Sequence, residues 1–186
     1  TKTATSRAFS SFYEEMEYKK LYKYSVPFFY ETEERTIEDI LKGKQISIFD
    51  GKTYEPDLVI DRVLSEAIPR AFKEDEKYFI KFVLQKAYLH SETFEQINYR
   101  YPVVIYIDPL INVLEIRYDS MRYSYNEQVD KDAYSKIVMY CVEWIKDTLG
   151  LKLFACEHTE TIRIINNIQN TEVRMYKQMM EMKSGG

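Results

Sequence analysis

The segment 101–118 constrains the fold of this chain most strongly, because it predicts a β-hairpin. Two runs rich in β-branched and aromatic residues flank a four-residue stretch, 109–112. Asp108 followed by Pro109 suits the first two positions of a type I turn, which four-residue hairpin loops often contain. The chain is therefore expected to contain a sheet.

The register of this hairpin follows from its apolar pattern. If residues 109–112 form the loop, Asp108 faces Val113 across the two strands. A shift by one residue would put Glu115 and Arg117 on the apolar face, so the first register is predicted. In that register one face is entirely apolar and carries Val103, Ile105, Ile107, Leu114, Ile116 and Tyr118.

Hydrophobic periodicity and turn residues predict the other elements. Phe9, Phe12, Tyr13 and Met16 recur at helical spacing and predict an amphipathic helix. In chain order, the predicted elements are a helix over 7–22, a short helix over 37–42, a hairpin over 45–55, a helix over 56–68, a strand over 78–89, the 101–118 hairpin, a helix over 131–149, a strand over 151–156 and a helix over 159–182.

Capping residues set the ends of two of these helices. Thr36 is the predicted N-cap of the 37–42 helix and Gly43 its stop, while Asp130 and Gly150 bracket the helix over 131–149. The helix that starts at the proline of position 56 is predicted to be lined by Leu58, Val59, Val63, Ala67 and Phe72. The stripe predicted for the 131–149 helix is Tyr134, Ile137, Val138, Cys141, Ile145 and Leu149.

These elements predict an α+β fold with a mainly antiparallel mixed sheet of four or more strands, packed helices and a long C-terminal helix. We expect residues 1–186 to form a single domain. Within it, 1–55 would be an N-terminal helix with a small hairpin appendage, 56–156 the sheet core, and 159–182 the C-terminal helix.

Composition excludes several classes of function. Five glycines leave no Gly-rich phosphate loop, and two histidines leave little for metal or acid–base chemistry, so neither a cofactor nor a metal is predicted. The net charge of −4 is spread evenly and shows no basic stripe, so nucleic acid is not the favoured partner. No apolar run reaches the ~18 residues of a membrane span. Cys141 and Cys156 lie in apolar runs, which favours reduced thiols and a cytoplasmic location.

Polar side chains on the other face of the hairpin are the candidate catalytic residues. Asp108 and Glu115 would be diagonal neighbours, at a separation that allows two carboxylates to share a divalent metal. Arg117 beside them would hold a phosphate. The alternative for all three residues is an ordinary solvated sheet face with a cross-strand charge pair.

The order helix–three strands–helix–strand over 56–156, with Glu115 and Arg117 on the third strand, resembles the restriction-endonuclease-like nuclease core. That family carries an acid on the second strand and Asp/Glu-x-Lys on the third. The resemblance implies a metal-dependent nuclease, or a degenerate inactive relative, in which Asp108 and Glu115 are the acids. The sequence departs from the pattern where Arg117 replaces the lysine and where Asp108 lies at the far end of its strand.

Two further segments suggest binding. Lys19, Lys20 and Lys23 alternate with aromatic residues over 18–24, as in modules that bind single-stranded nucleic acid. The alternative is a helix that packs its tyrosines on the domain and leaves its lysines in water.

The end of the 159–182 helix predicts an interface, because methionine-rich surfaces adapt to varied partners. The function favoured by the sequence is therefore a non-catalytic interaction or regulatory domain within a larger intracellular protein. We expect it to bind a protein partner or a second copy of itself, with no role for a membrane. The predicted interface residues are Met175, Tyr176, Met179 and Met182.

Overall fold

The computed structural model describes residues 2–33, 35–49, 59–60, 69–90, 92–122 and 132–155. The chain divides into two units, 1–154 and 155–186. The described residues belong to the first unit, except Ala155, which belongs to the second. In chain order the elements are helix α1 (Lys2–Lys19), strand β1 (Tyr24–Glu31), helix α2 (Ile37–Gly43), strands β2 (Ile48–Phe49), β3 (Val59–Ile60), β4 (Arg70–Glu74), β5 (Lys77–Leu89), β6 (Gln96–Asp108) and β7 (Val113–Tyr118), helix α3 (Ala133–Trp144), a π-helical turn (Ile145–Leu149) and strand β8 (Lys152–Ala155).

The strands form one mixed sheet in the order β2-β4-β5-β6-β7-β1-β8. Strand β3 also pairs with β5, at Val83 and Leu84, beyond the stretch of β5 that pairs with β4. Among the pairings whose direction is described, β2–β4 and β3–β5 are parallel and the others are antiparallel. The predicted α+β class with a mainly antiparallel mixed sheet is confirmed.

The predicted hairpin register is also confirmed. Asp108 pairs with Val113 and Ile107 with Leu114. Asn112 closes the loop with a φ of 53°, a left-handed conformation that asparagine tolerates better than most residues. All six side chains of the predicted apolar face are buried.

The predicted helix over 56–68 is wrong at Val59–Ile60, and the predicted hairpin over 45–55 stays a prediction. Ile48–Phe49 pairs in parallel with β4, while the second predicted arm, 52–55, lies outside the described residues. Val59–Ile60 forms strand β3 instead of part of a helix, and Phe72, assigned to the lining of that helix, lies in β4. Short apolar runs fit helix and strand equally well, and here pairing with β4 and β5 decides for strand.

Strand β1, within the predicted N-terminal region 1–55, lies inside the main sheet. Strand β1 pairs with β7 from Tyr24 to Phe29 and is followed in the sheet by β8. Pro27 lies within this strand, opposite Glu115. A proline inside a run of alternating residues argues against a strand in sequence, which is why β1 was not predicted.

Helix α2 begins at the predicted N-cap but ends at a residue other than the predicted one. The N–H of Asp39 donates to the hydroxyl of Thr36, as predicted for the N-cap. The stop is Gln45, with a φ of 56°, and not Gly43. The N–H groups of Gln45 and Ile46 donate to the carbonyls of Lys42 and Leu41. This is the Schellman arrangement, in which the residue just after the C-cap adopts the left-handed conformation.

The predicted stripe of α3 packs on one face of the sheet. Ile137, Cys141, Ile145 and Leu149 are buried, and the ring of Trp144 meets that of Phe82 edge-on, with 4.9 Å between centroids. Gly150 ends the helix with a φ of 70°. Asp130 lies outside the described residues, and Asp132 occupies the N-cap position but does not cap the helix with its side chain.

The sheet is covered on both faces. The larger core lies between the sheet, α2 and α3, and it includes the face of β5 predicted from its alternation: Tyr78, Ile80, Phe82 and Leu84. A smaller core lies on the opposite face, where Tyr18 of α1 packs with Phe49, Phe72, Phe79, Val104 and Tyr106. Among the helices of the described residues, none combines the length and apolar character needed to cross a membrane. The predicted 159–182 helix lies outside the described residues.

Candidate interaction surface of helix α1

Helix α1 packs on the sheet through its polar face. The side chains whose spacing predicted an amphipathic helix are exposed: Phe9 by 67%, Phe12 by 61%, Tyr13 by 57% and Met16 by 50%. This outcome reverses the usual amphipathic rule, in which the apolar stripe faces the core. Over 9–19, the part of α1 whose side chains are described, the buried residues are Ser11, Glu14, Glu17 and Tyr18.

Buried charges join α1 to strand β5. Lys81 Nζ lies 2.8 Å from Glu14 Oε1 and 2.8 Å from Glu17 Oε2. The side chains of Lys81 and Glu14 are 1% and 2% exposed. Arg100 of β6 donates to both carboxylate oxygens of Glu17, at 3.0 and 3.2 Å, and Arg70 of β4 lies 3.9 Å from Glu14. We call these five residues the ion cluster.

Burial and the charges of the ion cluster set the protonation states of Glu17 and of the neighbouring Tyr18. Burial alone would raise the pKa of Glu17, but the charges and hydrogen bonds of Lys81 and Arg100 outweigh burial and lower that pKa. Burial, together with the negative charge of Glu14, raises the pKa of Tyr18 far above its ordinary range. Glu17 is therefore anionic and Tyr18 neutral at physiological pH, as a stable ion cluster requires.

Tyr18 supplies the apolar part of the contact between α1 and the sheet. Its ring stacks on Phe72 at 5.4 Å and lies 6.3 Å from Phe49, and it is fully buried. Lys81 lies over the same ring, 4.7 Å from its centroid, which adds a cation–π contact. Tyr18, Glu14 and Glu17 thus join α1 to the sheet.

The lysines proposed for nucleic-acid binding lie at the C-terminal end of α1 and just after it. Lys19 pairs with Glu15 and Glu74, and Lys20 pairs with Asp119 at 2.6 Å. The backbone N–H of Lys23 donates to the other carboxylate oxygen of Asp119, and its ammonium lies over the ring of Tyr24. Acidic residues accompany these lysines, so the local field is mixed.

The candidate catalytic residues of the hairpin lie on the same sheet face as the ion cluster. Glu115 pairs with Tyr106, so Asp108 is its diagonal neighbour, as the register requires. Glu115 accepts from Ser25 and from Arg117, each at 2.8 Å, and Asp108 accepts from the Tyr106 hydroxyl and the Leu110 N–H.

These hydrogen bonds give the hairpin carboxylates structural partners. The Arg117 guanidinium also lies 3.9 Å from the centroid of the Tyr106 ring. Within the described part of the chain, no three His, Cys, Asp or Glu side chains converge in a way that could hold a metal ion. Val59–Ile60, within the helix predicted to open the nuclease-like order, is a strand, and the rest of that predicted helix lies outside the described residues.

The predicted interface of the last helix lies outside the described residues, and it stays a prediction. The ion cluster was not predicted from the sequence. One indication was present: Lys81 interrupts the apolar run of β5 on a strand whose two faces are both covered. A second was the spacing of Glu14 and Glu17, one helical turn apart on the face opposite Phe9 and Phe12.

No known protein family, no curated protein and no solved structure matches the chain. The geometry of α1 and the sheet is therefore the evidence for the function of the chain.

Proposed function

We propose that this domain is a non-catalytic protein-interaction module that associates with a second copy of itself through the outward face of α1. One observation carries the proposal: Phe9, Phe12, Tyr13 and Met16 project into solvent from a helix whose charged side is fixed to the sheet. A contiguous apolar patch of this kind usually marks an interface.

The size of the patch fits a weak homodimer. Four large side chains that are half or more exposed present roughly 450 Å² of surface, given the areas such side chains bury in interfaces. Two copies would bury about 900 Å², at the low end for a specific association. The neighbouring charges do not oppose pairing, because Glu15 and Lys19 neutralise each other at 2.7 Å within one chain.

Light scattering across a range of concentrations tests this function. The wild-type chain is expected to show a mass that rises above that of the monomer, and the variant Phe12→Glu/Met16→Glu is expected to remain monomeric. Leu110→Glu is the matched control, since Leu110 is 75% exposed but lies in the β6–β7 turn. A wild-type chain that is monomeric throughout, or association that persists in the double variant, would contradict the proposal.

The predicted long C-terminal helix, with Met175, Tyr176, Met179 and Met182, remains a second candidate interface within the same function. A chain that ends at Asn170 separates the two surfaces, because only the C-terminal interface would be lost. We further propose a cytoplasmic location, supported by Cys141, a free thiol buried in the core.

A further inference from the structure

The sheet face beneath α1 carries a row of basic side chains. Arg70 of β4 pairs with Lys81 of β5, Lys81 pairs with Val104 of β6, and Val104 pairs with Arg117 of β7. Paired residues share a face of the sheet, so the three cations line one face across four strands, over about 14 Å. Arg100, four residues before Val104 on β6, lies on the same face.

Helix α1 brings two carboxylates to this basic row. Glu14 and Glu17 lie one turn apart, and both contact Lys81 at 2.8 Å. Glu17 also accepts two hydrogen bonds from the guanidinium of Arg100. Tyr18, the next residue, enters the aromatic pocket that contains Phe72. The helix therefore occupies the sheet as an acidic ligand would.

Two carboxylates and one aromatic ring hold α1 on the sheet. Removing two carboxylates and their cations from water costs nearly as much as their attraction returns, so buried ion pairs contribute little net stability. The exposed apolar residues of the helix, Phe12 and Met16 among them, gain nothing from docking, so the fully buried ring of Tyr18 supplies the apolar gain. A segment with the same two carboxylates and the same aromatic ring would make the same contacts in place of α1, so exchanging one for the other would cost little free energy.

We propose that the basic row is a binding site for an acidic helical segment of a partner protein, and that α1 is its internal occupant. The segment would carry two carboxylates one turn apart followed by an aromatic residue, as in Glu14, Glu17 and Tyr18. One feature favours a helix over a nucleic acid: the carboxylates of Asp108 and Glu115 lie on the same face of the sheet and repel phosphates. The inference goes beyond the proposed function, which concerns the opposite face of α1.

A synthetic, fluorescently labelled peptide of residues 7–22 tests this site by fluorescence anisotropy. The full chain with Glu14→Gln/Glu17→Gln is expected to bind the peptide at least ten-fold more tightly than the wild type, because its own α1 no longer competes. A peptide with the same two substitutions should lose at least ten-fold in affinity. Glu15→Gln in the full chain is the matched control, since Glu15 faces solvent and pairs with Lys19.

Two further measurements keep the test decisive. Fluorescence of Trp144, in the core on the opposite face, reports whether the double variant keeps its fold. In the wild type, amide hydrogen exchange of α1 should occur through an opening that leaves β5 protected, and equal protection of both would contradict the proposal.

Three other results would overturn the proposal: a folded double variant that does not bind the peptide, equal binding of the substituted peptide, or displacement of the peptide by a single-stranded oligonucleotide. None of these results depends on the mass of the wild-type chain, so failure of this site and failure of the proposed function are distinguishable.

Discussion

Lys81 Nζ lies 2.8 Å from Glu17 Oε2 across the contact between strand β5 and helix α1. The lysine is 1% exposed and the glutamate 12%. A charged pair at this depth determines which face of α1 meets the sheet, because a buried lysine needs nearby carboxylates. The orientation of α1, and with it the exposure of Phe12 and Met16, follows from this contact.

Loss of the lysine should be costly. Lys81→Met leaves Glu14 with Arg70 at 3.9 Å and Glu17 with Arg100, and we expect the free energy of unfolding in urea to fall by about 3 kcal/mol, the lower end for a broken buried ion pair. Adding Glu14→Gln and Glu17→Gln to this variant should restore part of the loss. Lys73→Met is the control, because Lys73 pairs with Glu38 at the surface. A Lys81→Met variant no less stable than the control would show that the ion cluster does not hold α1.

Acid should weaken the docking of α1. The pKa of Glu17 is lower in the folded chain than the ordinary value of 4.5, so the folded state favours the carboxylate. Its contribution to stability is complete above pH 4.5 and is lost as the pH falls through the lowered pKa. Urea unfolding between about pH 6 and pH 3 should therefore show a decline that is shallower in Glu17→Gln than in the wild type. Parallel profiles would count against the assignment.

The stop of α2 can be tested at Gly43. Gly43 is exposed and lies in the last turn of the helix, with open space where a Cβ would be. Gly43→Ala should raise the free energy of unfolding by roughly 0.5–1 kcal/mol, because alanine loses less backbone entropy. Gln45→Gly should also stabilise the chain, since Gln45 has the positive φ. If Gly43→Ala destabilised the chain instead, Gly43 would be the left-handed stop.

The thiol of Cys141 should be inert in the folded chain. Burial raises the pKa of this thiol to about 12, so the reactive thiolate is scarce near neutral pH. In a Cys156→Ser background, iodoacetamide should leave the folded chain unmodified and add one carbamidomethyl group in urea. Mass spectrometry measures both states. Rapid modification without denaturant would mean that the α3 core opens easily.

The sequence was sufficient to predict the structure wherever an apolar pattern could be buried in only one way. The 101–118 hairpin has a single register that keeps Glu115 and Arg117 away from the apolar face, and the structure adopts it. The stripe that includes Ile137 and Cys141 likewise has only one way to be buried. Strands β1, β3 and β4 were missed. Pro27 argues against a strand at β1, Val59–Ile60 is too short to define a period, and Phe72 of β4 was assigned to the lining of the preceding helix.

The orientation of α1 could not be read from α1 alone. The amphipathic rule predicts that an apolar stripe on a surface helix faces the core. By that rule the stripe of Phe9, Phe12, Tyr13 and Met16 would be buried. The opposite outcome depends on Lys81, which is 64 residues away from Glu17 in the chain. Such long-range charge pairing leaves only a weak trace in sequence, a lone lysine within an apolar strand.

The most direct test of the account is hydroxyl-radical footprinting of the wild-type chain at several protein concentrations. In dilute solution, Phe12 and Met16 should be oxidised readily while Tyr18 is protected, since α1 docks by its charged face. As the concentration rises, oxidation of Met16 should fall because a second copy covers the patch. Oxidation of Tyr18 with protection of Met16 at every concentration would show that α1 packs the other way and would contradict the account.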